Sequence, residues 1–273
     1  MPSRRKWKVF GCTLGLLSML LLLSAGPAFA TASIRFVHAV PGAGAATLNV
    51  TVGGGGVSGS PVSFGKVTDP LEVAAGQAKL TLAPADGSKA MAESTQTLED
   101  GARYTVVALP QQKGDGAELK LYRDGTARAG QARFRAIHAG PELGDPDVRV
   151  GDRVVAEKLA YAHTTGYSDV SPGTQDVSVT RSGGKGGPLA TARAVALTAG
   201  TATTAVVVGS HGEETRLVIL SDGTAAPQGA PATGFGGLAN GAGGGPSRLV
   251  VALLFALLAG AAGAACRSLA LRR

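Results

Sequence analysis

Ile34-Arg35-Phe36-Val37-His38-Ala39-Val40-Pro41 is answered one hundred positions later by Phe134-Arg135-Ala136-Ile137-His138-Ala139-Gly140-Pro141. Arg, His, Ala and Pro recur in the same places, with apolar residues alternating around them. On a strand, Ile34, Phe36 and His38 share one face while Arg35 and Val37 share the other. Arg35, His38 and Pro41 with Arg135, His138 and Pro141 thus form a repeated motif, and its repetition argues for architecture over chemistry. A lone His without a second ligand at metal spacing is poor evidence for zinc. The expected role is to fasten the strand as the chain leaves the sheet.

The repetition continues outward from that strand. Val73-Ala74-Ala75-Gly76 matches Val170-Ser171-Pro172-Gly173, at an offset of 97. Leu98-Glu99-Asp100-Gly101 with Tyr104-Thr105-Val106-Val107-Ala108 matches Leu197-Thr198-Ala199-Gly200 with Thr203-Thr204-Ala205-Val206-Val207, at 99. Asp124-Gly125-Thr126 matches Asp222-Gly223-Thr224, at 98. Order and spacing are both kept, so the chain holds two homologous modules of about a hundred residues each.

The apolar period inside each module is two, and turn residues recur every eight to twelve positions. Arg149, Val150, Val154 and Val155 flank a Gly151-Asp152 turn, a hairpin signal. No stretch between 31 and 230 sustains an amphipathic helical pattern. The expected fold is all-β: two tandem antiparallel, immunoglobulin-like β-sandwiches at 31–127 and 128–224, each of about seven strands. With seven Phe, four Tyr and one Trp, the cores must be built from Val, Leu, Ile and Ala.

The two ends carry targeting signals. Arg4, Arg5, Lys6 and Lys8 precede an apolar run to Leu23 and then Ala28-Phe29-Ala30, so residues 1–30 are expected to be a secretory signal peptide. Residues 225–247 are rich in Ala, Gly and Pro and read as a flexible stalk; the 22 residues from Ala225 to Pro246 reach roughly 25 Å. Leu249 to Ala265 is 17 residues without a charge, just enough to span a hydrocarbon core of ~30 Å. A transmembrane helix at 248–266 and a basic cytoplasmic tail at 267–273 are therefore expected, with everything before them outside. Pro231-Ala232-Thr233-Gly234 within the stalk is similar to a sortase sorting signal. Ala230 stands where that signal has Leu, a loss of ~1.5–3 kcal/mol of recognition, so retention by the helix is favoured.

These ends also account for the charge. Eight of the 26 basic residues lie in them and none of the 19 acidic ones does, which leaves the ectodomain 18 basic against 19 acidic residues. The net +7 belongs to targeting, and nucleic-acid binding loses its main support. Cys12 and Cys266 both lie outside the ectodomain, so no disulfide or thiolate metal site is expected in it.

Other candidate motifs have plainer readings. Asp145, Asp147 and Asp152 fall short of the six to eight oxygens of a calcium cage, with Pro146 interrupting them, and read as turn acids. Gly53-Gly54-Gly55-Gly56 introduces no helix, so it reads as a hairpin tip rather than a phosphate loop. Ser58 lacks a nucleophile-elbow context. No catalytic set and no cofactor site is expected.

The Arg-Phe-Val-His-Ala-x-Pro opening and the later Val170-x-Pro172-Gly173 resemble a bacterial domain-of-unknown-function family of exported proteins, which occur as tandem modules in actinobacteria and other bacteria. That family's opening runs on as His-Ala-Ser-Pro-Asp-Ala-Pro and Val-Asp-Val-Tyr-Val. Here module one has Pro41-Gly42-Ala43-Gly44-Ala45-Ala46, while module two keeps Pro146-Asp147-Val148-Arg149-Val150. The resemblance spans roughly 34–125 and 133–224 and implies a β-sandwich surface protein with no catalytic residues to carry over.

The expected function is therefore non-enzymatic: a single-pass membrane protein displaying two modules at the cell surface, binding a surface protein or wall polymer. A ligand- or glycan-binding receptor is the second reading. For it, Tyr161 and Tyr167 form the only close aromatic pair in module two, and Tyr104 and Tyr122 are the tyrosines of module one. An envelope hydrolase using His163 and His211 is the third.

Overall fold

A computed structural model describes residues 30–112, 116–183, 187–210 and 213–224. The signal peptide, stalk, sorting motif, transmembrane helix and basic tail expected from the sequence all lie outside these residues, as does His211. Among the described residues no helix is long and apolar enough to cross a membrane. The secondary structure there is strand, apart from one 3-10 turn at Pro141–Leu143.

The first module contributes β1 (Thr31–His38), β2 (Ala46–Val52), β3 (Gly55–Ser58), β4 (Leu71–Ala74), β5 (Gly76–Pro84), β6 (Ala92–Leu98), β7 (Arg103–Pro110) and β8 (Ala117–Arg123). They form two sheets of four, ordered β4-β1-β7-β8 and β3-β2-β5-β6. The second module repeats this with β9 (Ala132–His138), β10 (Asp147–Val150), β11 (Arg153–Ala156), β12 (Ser168–Val170), β13 (Gly173–Thr180), β14 (Ala190–Leu197), β15 (Thr201–Ser210) and β16 (Glu213–Thr224). Its sheets are ordered β12-β9-β15-β16 and β11-β10-β13-β14.

Turn chemistry sets the hairpins. Gly53 and Gly54, both at positive φ, turn β2 into β3, and Gly151 at φ 54° turns β10 into β11. Only glycine takes up such values at no steric cost. The four-glycine run is thus a hairpin tip whose last two residues belong to β3.

Two features depart from the expected sandwich. Among the described residues each module has eight strands rather than about seven. Neither module is purely antiparallel: β1 runs parallel to β7, with Phe36 opposite Val106, and β9 runs parallel to β15, with Ile137 opposite Val206. The physical reason is the crossover. After β1 the chain passes through β2 and β3 of the second sheet, returns as β4 antiparallel to β1, and crosses again through β5 and β6, so β7 enters on the other side of β1 in the same direction, which a tight hairpin cannot achieve.

Among the described residues three apolar clusters form rather than two. Ile34, Phe36, Leu48, Leu80, Leu82 and Val106 lie in the first sandwich, and Phe134, Val148, Val177, Val179 and Val207 in the second. The third joins Val37, Ala39, Val107 and Leu109 of the first module to Ile137, Ala139, Val206 and Val208 of the second. The alternation along β1 is now explicit. Ile34 and Phe36 enter their own sandwich, while Val37 enters the junction, so the strand is covered on both faces. The junction residues are fully buried, and packing of this kind stabilises by about 25 cal/mol per Å² of apolar surface removed from water.

Candidate functional site

The repeated Arg of each opening strand lies in the junction. Arg35 Nε donates to Thr105 Oγ1 at 2.9 Å in its own module. Its two remaining nitrogens cross to the other module, Nη1 to the Ser221 carbonyl at 2.7 Å and Nη2 to Asp222 Oδ1. Arg135 repeats the arrangement in reverse. Nε donates to Thr204 Oγ1 at 2.7 Å, Nη1 to the Arg123 carbonyl at 2.6 Å, and Nη2 to Asp124 Oδ1 at 2.6 Å. Each copy's Arg is held by the Asp that closes the other copy. Arg35 Nη2 also lies 3.1 Å from Asp124 Oδ2, which links the two pairs.

Two cations and two anions are balanced in a site where Arg35 is 8 % and Arg135 4 % exposed. Thr105 and Thr204 donate to the acids at 2.7 and 2.6 Å. Tyr167 donates to Asp222 Oδ2 at 2.6 Å, accepts from the Gly125 N–H at 2.9 Å, and lies with its ring 4.7 Å from the Arg135 guanidinium carbon. Burial raises the Tyr167 hydroxyl well above its ordinary value, and the Asp222 carboxylate adds to it. Burial also raises Asp124, against the pull of the Arg35 guanidinium. Every buried side-chain polar atom among the described residues has a partner. A fully satisfied, closed network of this kind holds two surfaces in register and offers no open group to a substrate.

The repeated histidines lie on the other side of their strands. His38 Nδ1 accepts from the Val40 N–H at 3.2 Å, so Nε2 carries the proton and donates to the Gly44 carbonyl at 2.9 Å. His138 places Nδ1 2.9 Å from the Leu159 carbonyl and Nε2 2.8 Å from the Gly140 carbonyl. Burial lowers both rings below their ordinary value, while the carbonyls around His138 pull the other way, and a neutral His138 donates to only one of its two carbonyl partners. Each ring holds the loop that leaves its strand, and Pro41 and Pro141 lie in those loops. His163, by contrast, is exposed, with Nδ1 2.9 Å from the Tyr161 carbonyl. The three described histidines thus meet backbone groups. Asp147 accepts from the Lys158 N–H at 2.8 Å, and no group of three or more potential metal ligands occurs among the described residues.

A second repeat, missed from the sequence, closes the junction. After β3, Ser63-Phe64-Gly65-Lys66-Val67-Thr68 runs beside β1, and Ala160-Tyr161-Ala162-His163-Thr164-Thr165 runs beside β9. The Thr68 hydroxyl accepts from the Phe36 N–H at 3.0 Å and the Thr165 hydroxyl from the Ala136 N–H at 2.9 Å. Gly65 and Ala162 share a positive φ, 71° and 59°. The available signal was an aromatic three residues before a β-branched residue and Thr, at the same offset of 97 as the turn motif.

The copies diverge where these loops meet the last strand of the other module. On one side Phe64 packs in the junction with Val218 and Leu220 and stacks on Arg216. On the other side the matching positions are Lys120 and Tyr122, facing Tyr161 and Ala162. Tyr122 donates to the Ala162 carbonyl at 3.1 Å, Lys120 to the same carbonyl at 3.4 Å, and Tyr161 to the Pro110 carbonyl. Burial raises the Tyr122 hydroxyl to about 12. Here an open groove of about 980 Å³ runs between β6 and β8 and ends on Tyr161, Ala162 and His163. It draws on both modules, and it pairs Tyr161 with Tyr122 rather than with Tyr167, which is committed to the ionic network.

These features define an all-β protein of two tandem β-sandwich-like modules. The chain belongs to the family described as Domain of unknown function (DUF4397), which matches it twice, at residues 32–149 and 137–243. No curated protein matches it. Among solved structures, a leucine-rich repeat protein from Bacteroides thetaiotaomicron is 14 % identical over 66 % of this chain, with a TM-score of 0.21. The chain spans about a quarter of that protein, 26 % of its length, and the score is too low to assign a shared architecture.

Proposed function

We propose that this is a non-enzymatic protein of the bacterial cell surface, which uses the groove at the junction of its two modules to bind a component of the envelope. The observation that carries the reading is the divergence of the repeat. The ionic network and strand-end histidines are kept in both copies, while Lys120 and Tyr122 face Tyr161 and His163 in the groove and their counterparts Val218 and Leu220 are buried. Two copies locked by matched contacts present one recessed surface made from both, and loops held by a rigid scaffold are where binding residues concentrate. An exported chain anchored by residues 248–266 would hold that surface outside the membrane on the 225–247 stalk.

The test is to express the full chain with a reporter fused after Arg273 and to measure its retention of isolated envelope fragments. Reporter activity confined to the cytoplasm, with saturable envelope binding and no turnover of ester, glycoside or peptide substrates, supports the proposal. An extracellular reporter, turnover, or absence of binding overturns it. A wall-linked fragment ending at Thr233 would show that sorting replaces the helical anchor.

A further inference from the structure

We infer that the junction groove takes an uncharged polysaccharide strand, an assignment that rests on the surface-binding function proposed above. Three observations point to that chemistry. The first is balance of charge: Glu118 lies 3.9 Å from Lys120 in the groove, while Glu93 pairs at 2.9 Å with Lys79 on the outer face of the bordering sheet. A groove with its acids matched by lysines has no net field to hold a polyanion or polycation. The second is the lining. Gln96, Gln111 and Gln112 add planar amides to the Glu118 carboxylate. Planar groups with paired donors and acceptors suit a ligand that presents neighbouring hydroxyls.

The third is the pair of tyrosines. Tyr122 and Tyr161 spend their hydroxyls on the Ala162 and Pro110 carbonyls, which locks the rings at the end of the groove. A fixed ring offers an apolar face to the C–H side of a sugar at little entropic cost, since only two torsions need be held. The groove is open rather than enclosed, which fits a chain crossing it better than an engulfed small molecule. An extended peptide adding to a sheet edge is the competing macromolecule. Both bordering edges, β6 and β8, carry charged residues, Glu93 on one and Glu118, Lys120 and Arg123 on the other, and such charges discourage strand addition.

The experiment uses the full chain purified in detergent and titrated calorimetrically with cellohexaose, chitohexaose, maltohexaose and mannohexaose, alongside polyphosphate and a polar twelve-residue peptide. Saturable binding of at least one neutral hexasaccharide is expected, weakened tenfold or more in Gln96→Ala/Glu118→Ala. Tyr161→Leu should weaken it further, and Arg193→Ala on β14 should leave it unchanged. Glu118 is exposed and Gln96 and Tyr161 are half-buried, and a thermal melt matching the parent establishes that each variant is folded. Binding of polyphosphate or peptide alone, no binding by any sugar, or sugar binding insensitive to the groove variants overturns the assignment. If envelope fragments are still retained in a groove-dependent way while every sugar fails, the surface-binding function survives and the polysaccharide does not. If both fail, the function itself falls.

Discussion

Arg35 and Asp222 lie 187 positions apart and form a buried ion pair across the junction of two copies of one fold. Arg135 and Asp124 form the reciprocal pair. A contact made twice, with the roles of the copies exchanged, has the geometry of an isologous dimer interface contained within a single chain.

Removing one charge from this network leaves an acid buried without its partner. Arg35→Met is expected to cost about 3–5 kcal/mol, read as a shift of the urea midpoint of the full chain. Adding Asp222→Asn should cost less than the sum of the single changes, because the two side chains touch. Strictly additive losses would show that the pair is not coupled.

The third apolar cluster makes the two sandwiches interdependent. Val37 and Val107 would be exposed without Ile137 and Val206. Native-state hydrogen exchange should therefore give the amides of β1 and β9 the same opening free energy, that of one global unfolding event. Separate values for the two modules would contradict this.

Acid should loosen the strand ends. Burial holds His38 and His138 below their ordinary value of 6.5, so the unfolded chain takes up protons more readily than the folded one. Their contribution to stability is complete above 6.5 and is lost as pH falls through the lowered folded values. The melting temperature should drop between pH 7.5 and 5, and His38→Gln should flatten that dependence. In nitrogen NMR at pH 7.5, His38 should show a proton on Nε2 and none on Nδ1.

The paired loops give opposite outcomes for the same exchange of residue. Gly65 at φ 71° would place a new Cβ 3.0 Å from Cδ of the exposed Arg216, a tight contact that this flexible side chain can relieve, so the strain of Gly65→Ala lies in the backbone. A loss of about 1–2 kcal/mol is expected from the backbone alone. Ala162 already sits at φ 59°, so Ala162→Gly relieves strain and should be neutral or stabilising by up to ~1 kcal/mol. Thermal melts of both variants decide it.

Much of the fold was legible because a period of two is a local property. Ile34 and Phe36 were separable from Arg35 and Val37 by position along β1, and turn glycines placed the hairpins. The parallel pairing of β1 with β7 was not, since direction depends on the route of the chain through the second sheet. The aromatic pairing was also misjudged. Tyr161 and Tyr167 are near in sequence, yet Tyr167 turns to Asp222 and Tyr161 meets the groove lined by Tyr122.

The sequence by itself determined that the chain holds two copies of one all-β module, each opening on a strand with two differently populated faces. Arg35, Thr105 and Asp124 were all visible in it, as were Arg135, Thr204 and Asp222. Only the tertiary structure decided that each Arg is answered from the other copy. The reason is physical: when two copies carry the same residues at matching positions, pairing within a copy and pairing between copies are indistinguishable in the sequence. What separates them is which surface covers the second face of β1, and that surface is the other module.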